Sequence, residues 1–187
     1  GHDIEVINTL RVSINITSRK PTLYYRKRRL DGFDAVIPRI GASVTFYGLA
    51  VLRQFEVMGI YPLNESVAIG RSRDKLRCLQ LLARFGIDMP RTVMMRERSD
   101  IDRAVEQIGG LPAIVKLLQG TQGVGVMIAH SVKELESILD TMWTLDQDIL
   151  LQEFVAESKG RDVRALVVGD HVVGAMRRRA RVKGEFR

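Results

Sequence analysis

A lysine followed by a glycine-rich segment is the most chemically suggestive feature of this 187-residue chain. Lys116 follows the apolar run AIV at residues 113–115, which predicts a buried strand. Gly120, Gly123 and Gly125 come next, in the segment QGTQGVGV over residues 119–126. An ammonium group beside a buried strand requires an anionic partner, and glycines let backbone N–H groups approach a bulky anion. The pattern indicates a polyphosphate site, with a β-hairpin whose loop needs positive φ as the structural alternative.

Two further segments have residue types suited to nucleotide binding. Lys75 follows Asp74 in the first turn of a predicted helix, where a positive charge is unfavourable with the helix dipole unless an anion lies nearby. An ordinary exposed lysine is the alternative. The strand over residues 148–155 runs into a polar link, so its end can present backbone N–H and C=O groups to a flat heteroaromatic ring, or can be a plain strand end. Because Lys116 precedes the glycines, these features do not form a Walker A motif.

The region around these residues alternates between extended and helical patterns. The spacing predicts strands over 92–95, 113–115, 124–129 and 148–155, and helices over 100–108 and 132–144. Ser99 and Ser131 are suitable N-caps for the two helices. The order strand, helix, strand, strand, helix, strand is typical of an α+β sandwich. A β-hairpin over 162–168 and 172–176 follows, with Gly169-Asp170 at its turn.

The first part of the chain predicts a small parallel α/β domain. Strands are expected over residues 3–7 and 33–38, and a helix over 44–58, with Ser43 as its N-cap and Gly59 after its end. An extended link over 61–64 comes next. Ser72 is the expected N-cap of a strongly amphipathic helix that Gly86 closes.

Composition narrows the class of protein. A hydrophobic content of 45% with 27% charged residues is ordinary for a globular protein, and no apolar run is long enough for a membrane span. The net charge of +7 comes largely from basic runs at 26–29 and 177–183, which suit nucleic acid, phosphates, an acidic protein or simply solvent. The lone Cys78 fits a reducing cytoplasm, and the three histidines lack metal-ligand spacing, which argues against zinc.

The motifs occur in an order that resembles the ATP-grasp ligases. Asp74-Lys75 opens a helix, Ile114-Val115-Lys116 precedes the glycine loop, and Gln152-Glu153-Phe154-Val155 is followed by Asp162. Four longer phrases are similar to the ribosomal-protein glutamate ligase (RimK) family: FDAVIPRIG at 33–41, YPLNESVAI at 61–69, GTQGVGV at 120–126 and LVVGDHVV at 166–173.

That resemblance implies roles for individual residues. Lys75 and Lys116 would hold the phosphates of ATP, and the loop with Gly120, Gln122, Gly123 and Gly125 would close over them. Glu153, Phe154 and Val155 would line the adenine ring, and Asp162 would reach the ribose. Arg187 would meet the phosphates or an acyl phosphate as the catalytic residue. Arg39 would grip a substrate carboxylate, or would be a solvated loop arginine.

The resemblance also implies an architecture. The fold class is α/β and α+β, with a partial N-terminal α/β (pre-ATP-grasp) domain over 1–70 followed by an incomplete ATP-grasp fold. The first ATP-grasp subdomain would span 71–150, and a truncated second one 151–187. Family members carry Asp, Glu and Asn ligands for Mg²⁺ or Mn²⁺ on later strands, so the metal ligands and the rest of a longer protein are expected beyond Arg187.

The implied activity is ATP-dependent formation of an amide bond through an acyl phosphate. Free glutamate would be added to the C-terminus of small-subunit ribosomal protein six by a cytoplasmic homo-oligomer, without membrane or direct nucleic-acid binding. One alternative is another ATP-grasp glutamyl or aminoacyl ligase acting on a carrier protein or a cofactor. The other is a non-catalytic basic domain that binds ribosomes or RNA, although such binding requires none of the lysine and strand-end spacings.

Overall fold

The computed structural model describes residues 1–118, 125–158 and 160–179, which fall into two compact units, Gly1–Ile87 and Asp88–Arg187. The first unit has an antiparallel meander of β1 (Val12–Asn15), β2 (Thr22–Tyr25) and β3 (Arg28–Arg29). It also has a parallel pair, β4 (Ala35–Val36) and β5 (Tyr61–Pro62), with helix α1 (Thr45–Val57) between them in the chain. The predicted parallel α/β arrangement is confirmed. Helices α2 (Ser66–Arg73) and α3 (Lys75–Arg84) complete this unit.

Some predictions for the first unit are wrong. Residues 3–7 form no strand, and Ile4 and Val6 are 84% and 90% exposed. An alternating apolar pattern forms a strand only where a neighbouring strand accepts and donates its backbone hydrogen bonds. The N-cap of α1 is Val44, because a 3-10 turn precedes the helix. Asp74, not Ser72, caps α3: its Oδ1 accepts a hydrogen bond from the Arg77 N–H at 2.9 Å.

The second unit contains a four-stranded antiparallel sheet and two helices. Its strands are β6 (Thr92–Val93), β7 (Ala113–Leu117), β8 (Val126–Ala129) and β9 (Ile149–Glu153), in the spatial order β6-β9-β7-β8. Helix α4 (Ile101–Ile108) connects β6 to β7, and α5 (Val132–Thr144) connects β8 to β9. The predicted order of strands and helices is therefore confirmed, and Ser131 caps α5 by accepting from the Glu134 N–H at 3.2 Å.

The two faces of this sheet have different roles. On the first face, Ala113, Val115 and Leu151 pack with residues of α4 and α5, including Ile108 and Leu139, in one buried core. Side chains alternate along a strand. The opposite face, called here the second face, therefore has five residues in register on β6, β9 and β7: Thr92, Ile114, Lys116, Leu150 and Gln152.

A long hairpin ends the described part of the chain. Strands β10 (Arg161–Val168) and β11 (His171–Arg179) pair antiparallel, with a register shift between Leu166 and Val167. Gly169 has φ +63° at the turn, which confirms the predicted hairpin. No helix in the described ranges is long and apolar enough to cross a membrane.

Candidate functional site

Lys116 is positioned by the pairing of β7 with β9. Lys116 lies opposite Leu150, and the next pair on the same face is Ile114–Gln152. Lys116 and Gln152 are therefore diagonal neighbours on the second face. The Lys116 ammonium donates a hydrogen bond to Oε1 of Gln152. The backbone N–H of the next residue, Leu117, donates to the Gly125 carbonyl at 2.9 Å. Lys116 is thus held in a strand that borders the glycine segment.

Gln152 and Thr92 were not among the predicted site residues. Gln152 is only 7% exposed, and its Nε2 donates to the hydroxyl of Thr92 at 2.8 Å. That hydroxyl donates in turn to the carbonyl of Pro90 at 2.9 Å. A hydrogen-bonded row thus crosses β7, β9 and β6 and ends at Lys116. The sequence signal for these hydrogen bonds was a glutamine directly after the apolar residues ILL at 149–151, because an amide buried in such a strand needs partners.

The Glu153 side chain is committed to Arg91. Its carboxylate accepts from Nε and Nη2 of Arg91 at 3.0 Å each and from the Arg91 backbone N–H at 3.1 Å. The Glu153 N–H donates back to the Arg91 carbonyl at 2.9 Å. Because Glu153 follows Gln152, its side chain lies on the first face of the sheet, away from Lys116. The Glu153 side chain is therefore not directed toward a ligand on the second face.

This ion pair fixes the charge of Glu153. Hydrogen bonds from the Arg91 side chain, followed by the one from its backbone N–H, hold the pKa of the Glu153 carboxyl at about 2, below its ordinary 4.5. The same contact raises the pKa of Arg91. A carboxyl whose pKa is depressed in the folded state stabilises the fold above its unfolded pKa, and that stabilisation disappears as the pH falls toward the folded value.

The pair predicts a pH-dependent stability difference. Compared with Glu153→Gln, the wild-type protein should lose stability as the pH falls from about 4.5 toward about 2, the window set by the shifted pKa. Denaturant unfolding at several pH values measures this difference. Glu157→Gln, on the exposed turn after β9, is the matched control and should follow the wild type. Parallel pH profiles of wild type and Glu153→Gln would contradict the prediction.

Phe154 and Val155 continue from β9 as a short link. Phe154 is half-buried and Val155 is 37% exposed, and a 3-10 turn over Ala156–Ser158 follows them. The Val155 carbonyl accepts from the Ser158 N–H at 3.2 Å. Residues 153–155, called here the hinge segment, begin at the last residue of β9, directly after Gln152. Their contact with adenine stays a prediction.

Asp162 is held by an ion pair within the hairpin. It lies opposite Arg178, whose Nε donates to Oδ1 at 2.7 Å and whose Nη2 donates to Oδ2. These hydrogen bonds lower the pKa of Asp162 and raise that of Arg178. An ionised carboxylate has further lone pairs for ribose hydroxyls. The ribose contact stays a prediction.

Two predicted residues belong to the first unit. Lys75 is the first residue of α3 and is half-buried, and desolvation lowers the pKa of its ammonium group. Arg39 is exposed in the link between β4 and α1. The role of Lys75 toward phosphate and the role of Arg39 toward a carboxylate stay predictions.

The glycine segment is described only at its end. Gly125 has φ +80°, and a Cβ there would lie 2.5 Å from Cδ1 of Leu117. The hairpin itself therefore requires glycine at this position. The predicted contacts of Gly120, Gln122, Gly123 and Arg187 lie outside the described residues.

A magnesium site does not follow from the described residues. Within residues 1–118, 125–158 and 160–179, no three His, Cys, Asp or Glu side chains are grouped closely enough to hold a metal ion. The carboxylates of the predicted nucleotide site, Glu153 and Asp162, are each paired with an arginine. These residues do not fit Mg²⁺ or Mn²⁺, so no chemical step is assigned to a metal here.

Family models match both parts of the chain. Residues 72–187 match the RimK-like ATP-grasp domain, and residues 1–69 match the RimK PreATP-grasp domain. The chain is 57% identical to a probable alpha-L-glutamate ligase of Ectopseudomonas mendocina and 56% identical to one of Thioalkalivibrio sulfidiphilus. Each match covers 100% of this chain and 62% of the relative, so the chain spans less than two thirds of their length.

The fold is also found among solved structures. A RimK domain ATP-grasp protein from Sphaerobacter thermophilus superposes with a TM-score of 0.63 at 22% identity, covering 82% of this chain and 59% of that one. This likeness supports the architecture of a pre-ATP-grasp domain followed by part of an ATP-grasp fold. Together with the family match over residues 72–187, it accounts for the predicted order of motifs. The chain belongs to the RimK-like ATP-grasp family.

Proposed function

We propose that this chain is the nucleotide-binding part of an ATP-dependent carboxylate–amine ligase that uses glutamate. The observation that carries the proposal is Lys116, a cation on the second face of the sheet that contacts Gln152, the residue before the hinge segment. Its position beside a strand end suits a ligand with phosphates at one end and a planar base at the other. The names of the relatives, probable alpha-L-glutamate ligases, support glutamate as a substrate.

The proposed reaction has two steps. A carboxylate oxygen attacks the γ-phosphorus of ATP, the bond to the β–γ bridging oxygen breaks, and ADP leaves. The amine of glutamate then attacks the acyl carbon, phosphate leaves with the bonding electrons, and the amine loses a proton. Such chemistry depends on positioning and charge neutralisation, without a protein nucleophile.

The residues of this chain would supply binding and orientation. Lys116 would offset negative charge on the phosphates through charge-assisted hydrogen bonds. The hinge segment would present backbone groups to adenine, with Glu153 fixed from the other face by Arg91. Asp162, kept ionised by Arg178, would accept hydrogen bonds from the ribose. Lys75 would add a second positive charge. Bound Mg²⁺ or Mn²⁺ would offset further phosphate charge, with its ligands outside the residues described here.

The second part of the proposal is the molecule that accepts glutamate. We propose the C-terminus of small-subunit ribosomal protein six, with a carrier protein or a cofactor as the alternative acceptor in the same class of reaction. Both would present a carboxylate, which Arg39 would grip, and the two differ only in what surrounds that carboxylate. A basic domain that only binds ribosomes or RNA is the remaining alternative, and the exposed basic residues at 26–29 favour it.

An incorporation assay on the full-length protein tests these proposals together. Labelled glutamate, ATP and Mg²⁺ are supplied with the ribosomal protein, with the same protein lacking its C-terminal residues, or with candidate carrier proteins. The proposal expects label in the intact ribosomal protein and ADP in equal amount. Label only in a carrier protein would replace the acceptor and keep the chemistry. Salt-sensitive RNA binding without any ATP binding would overturn the ligase assignment.

A further inference from the structure

A directional hydrogen-bond row on the second face ends at Lys116. It runs from the Thr92 hydroxyl, through the Gln152 amide, to the Lys116 ammonium. We propose that Thr92 is a positioning residue: it fixes which end of the Gln152 amide faces Lys116, and thereby sets the affinity for the phosphates of ATP. The inference rests on the proposed role of Lys116 in ATP binding.

The direction of the row follows from the proton of Thr92. A hydroxyl has one proton, and Thr92 donates it to the Pro90 carbonyl at 2.9 Å. The Thr92 oxygen can then only accept, and it accepts from Nε2 of Gln152 at 2.8 Å. The carbonyl oxygen of the amide is consequently left facing Lys116. A flipped amide would set its NH₂ group against the Lys116 ammonium, donor against donor, and its carbonyl oxygen against the Thr92 oxygen, which has no proton left to give.

Burial makes this orientation matter. Gln152 is 7% exposed, so water cannot readily replace a lost partner, and an unsatisfied buried amide is costly. The pairing of β6 with β9 places Thr92 directly opposite Gln152, and the pairing of β7 with β9 places Lys116 on its other side. The three side chains are thus held by three neighbouring strands.

An amide at position 152 affects Lys116 differently from a carboxylate. Gln152 holds the ammonium in place through a neutral oxygen and so adds no negative charge that would offset the charge of Lys116. A glutamate at the same position would pair with Lys116, compensate its charge and compete with phosphate. The row therefore suits a lysine that must be oriented and still attract a polyphosphate.

Thr92→Val tests the inference because valine keeps the shape of threonine and removes the hydroxyl. In the full-length protein we expect the dissociation constant for ATP to rise about tenfold, near the upper range for one lost hydrogen bond. The constant for adenosine, which has no phosphate, should stay unchanged. Thr92→Ser should restore ATP affinity, and Gln152→Glu should weaken ATP binding as well. Thr141→Val on α5, whose hydroxyl donates to the Ser137 carbonyl, is the matched control.

A double-mutant cycle separates positioning from general loosening. In a Lys116→Ala background, Thr92→Val should cause no further loss of ATP affinity, because the group that it positions is gone. The inference is overturned if ATP binding is unchanged in Thr92→Val, if ATP and adenosine weaken equally, or if the loss persists without Lys116. A wild-type protein that binds no ATP would defeat the proposed function as well, whereas normal wild-type binding with an inert Thr92→Val would defeat this inference alone.

Discussion

Replacement of Lys116 by alanine is expected to abolish ATP-dependent ligation and to leave the fold intact. A charge-assisted hydrogen bond contributes roughly 1.5–3 kcal/mol, so the affinity for ATP should fall about 10- to 100-fold. The fold should survive because Lys116 lies on the second face, outside the core that Val115 and Leu151 form with the helices. Removal of the ammonium leaves the buried Gln152 oxygen without that donor, which should lower the stability by about 1–3 kcal/mol without unfolding the protein.

The measurement combines ATP titration, product formation and thermal unfolding on the same variant. Lys133→Ala on α5 removes an exposed lysine of the same unit and should behave as the wild type in all three. Equal ATP affinity and turnover in Lys116→Ala and Lys133→Ala would show that Lys116 has no role toward the nucleotide. A collapse of the unfolding transition in Lys116→Ala would instead assign it a structural role.

Substitution of Gly125 by alanine is expected to destabilise the protein by about 2–5 kcal/mol. A left-handed backbone costs an L-residue roughly 1–2 kcal/mol, and the close contact adds about 1–3 kcal/mol. Gly125 has φ +80°, and an added Cβ would lie 2.5 Å from Cδ1 and 3.0 Å from Cβ of Leu117. The backbone of Leu117 also donates to the Gly125 carbonyl, so the two residues cannot easily move apart.

Two other glycines separate these contributions. Gly169→Ala meets nothing within 4 Å but has φ +63°, so it should show the backbone cost alone. Gly174→Ala, in β11, has neither restriction and should be neutral or slightly stabilising. Denaturant unfolding of the three variants should rank them Gly125, Gly169, Gly174 from most to least destabilised. A Gly125→Ala protein as stable as Gly174→Ala would contradict the account of this turn.

The sequence was most informative where local pattern and tertiary structure agree. The apolar runs of β7 and β9, the capping serine of α5 and the turn glycine Gly169 each predicted the observed element. Residues 3–7 show the limit, since alternation alone cannot supply a neighbouring strand. Helix α2 was missed because its sequence, SVAIGRSR, has no apolar stripe and contains a glycine.

The supporting contacts of the site could not be predicted because they depend on strand register. Arg91 meets Glu153 across 62 positions of sequence, and Thr92 meets Gln152 across 60. The residue types alone suggest solvent-exposed polar groups at these positions. Only the pairing of β6 with β9 makes them partners, and it also puts the Glu153 side chain on the face opposite Lys116.

A structure of the full-length protein with a non-hydrolysable ATP analogue tests the central claim most directly. The account predicts the adenine against the backbone of residues 153–155, and a phosphate oxygen within hydrogen-bond distance of the Lys116 ammonium. It also predicts that Glu153 stays paired with Arg91 on the other face. An analogue bound away from β7 and β9, with no contact to Lys116 or to the hinge segment, would contradict the account.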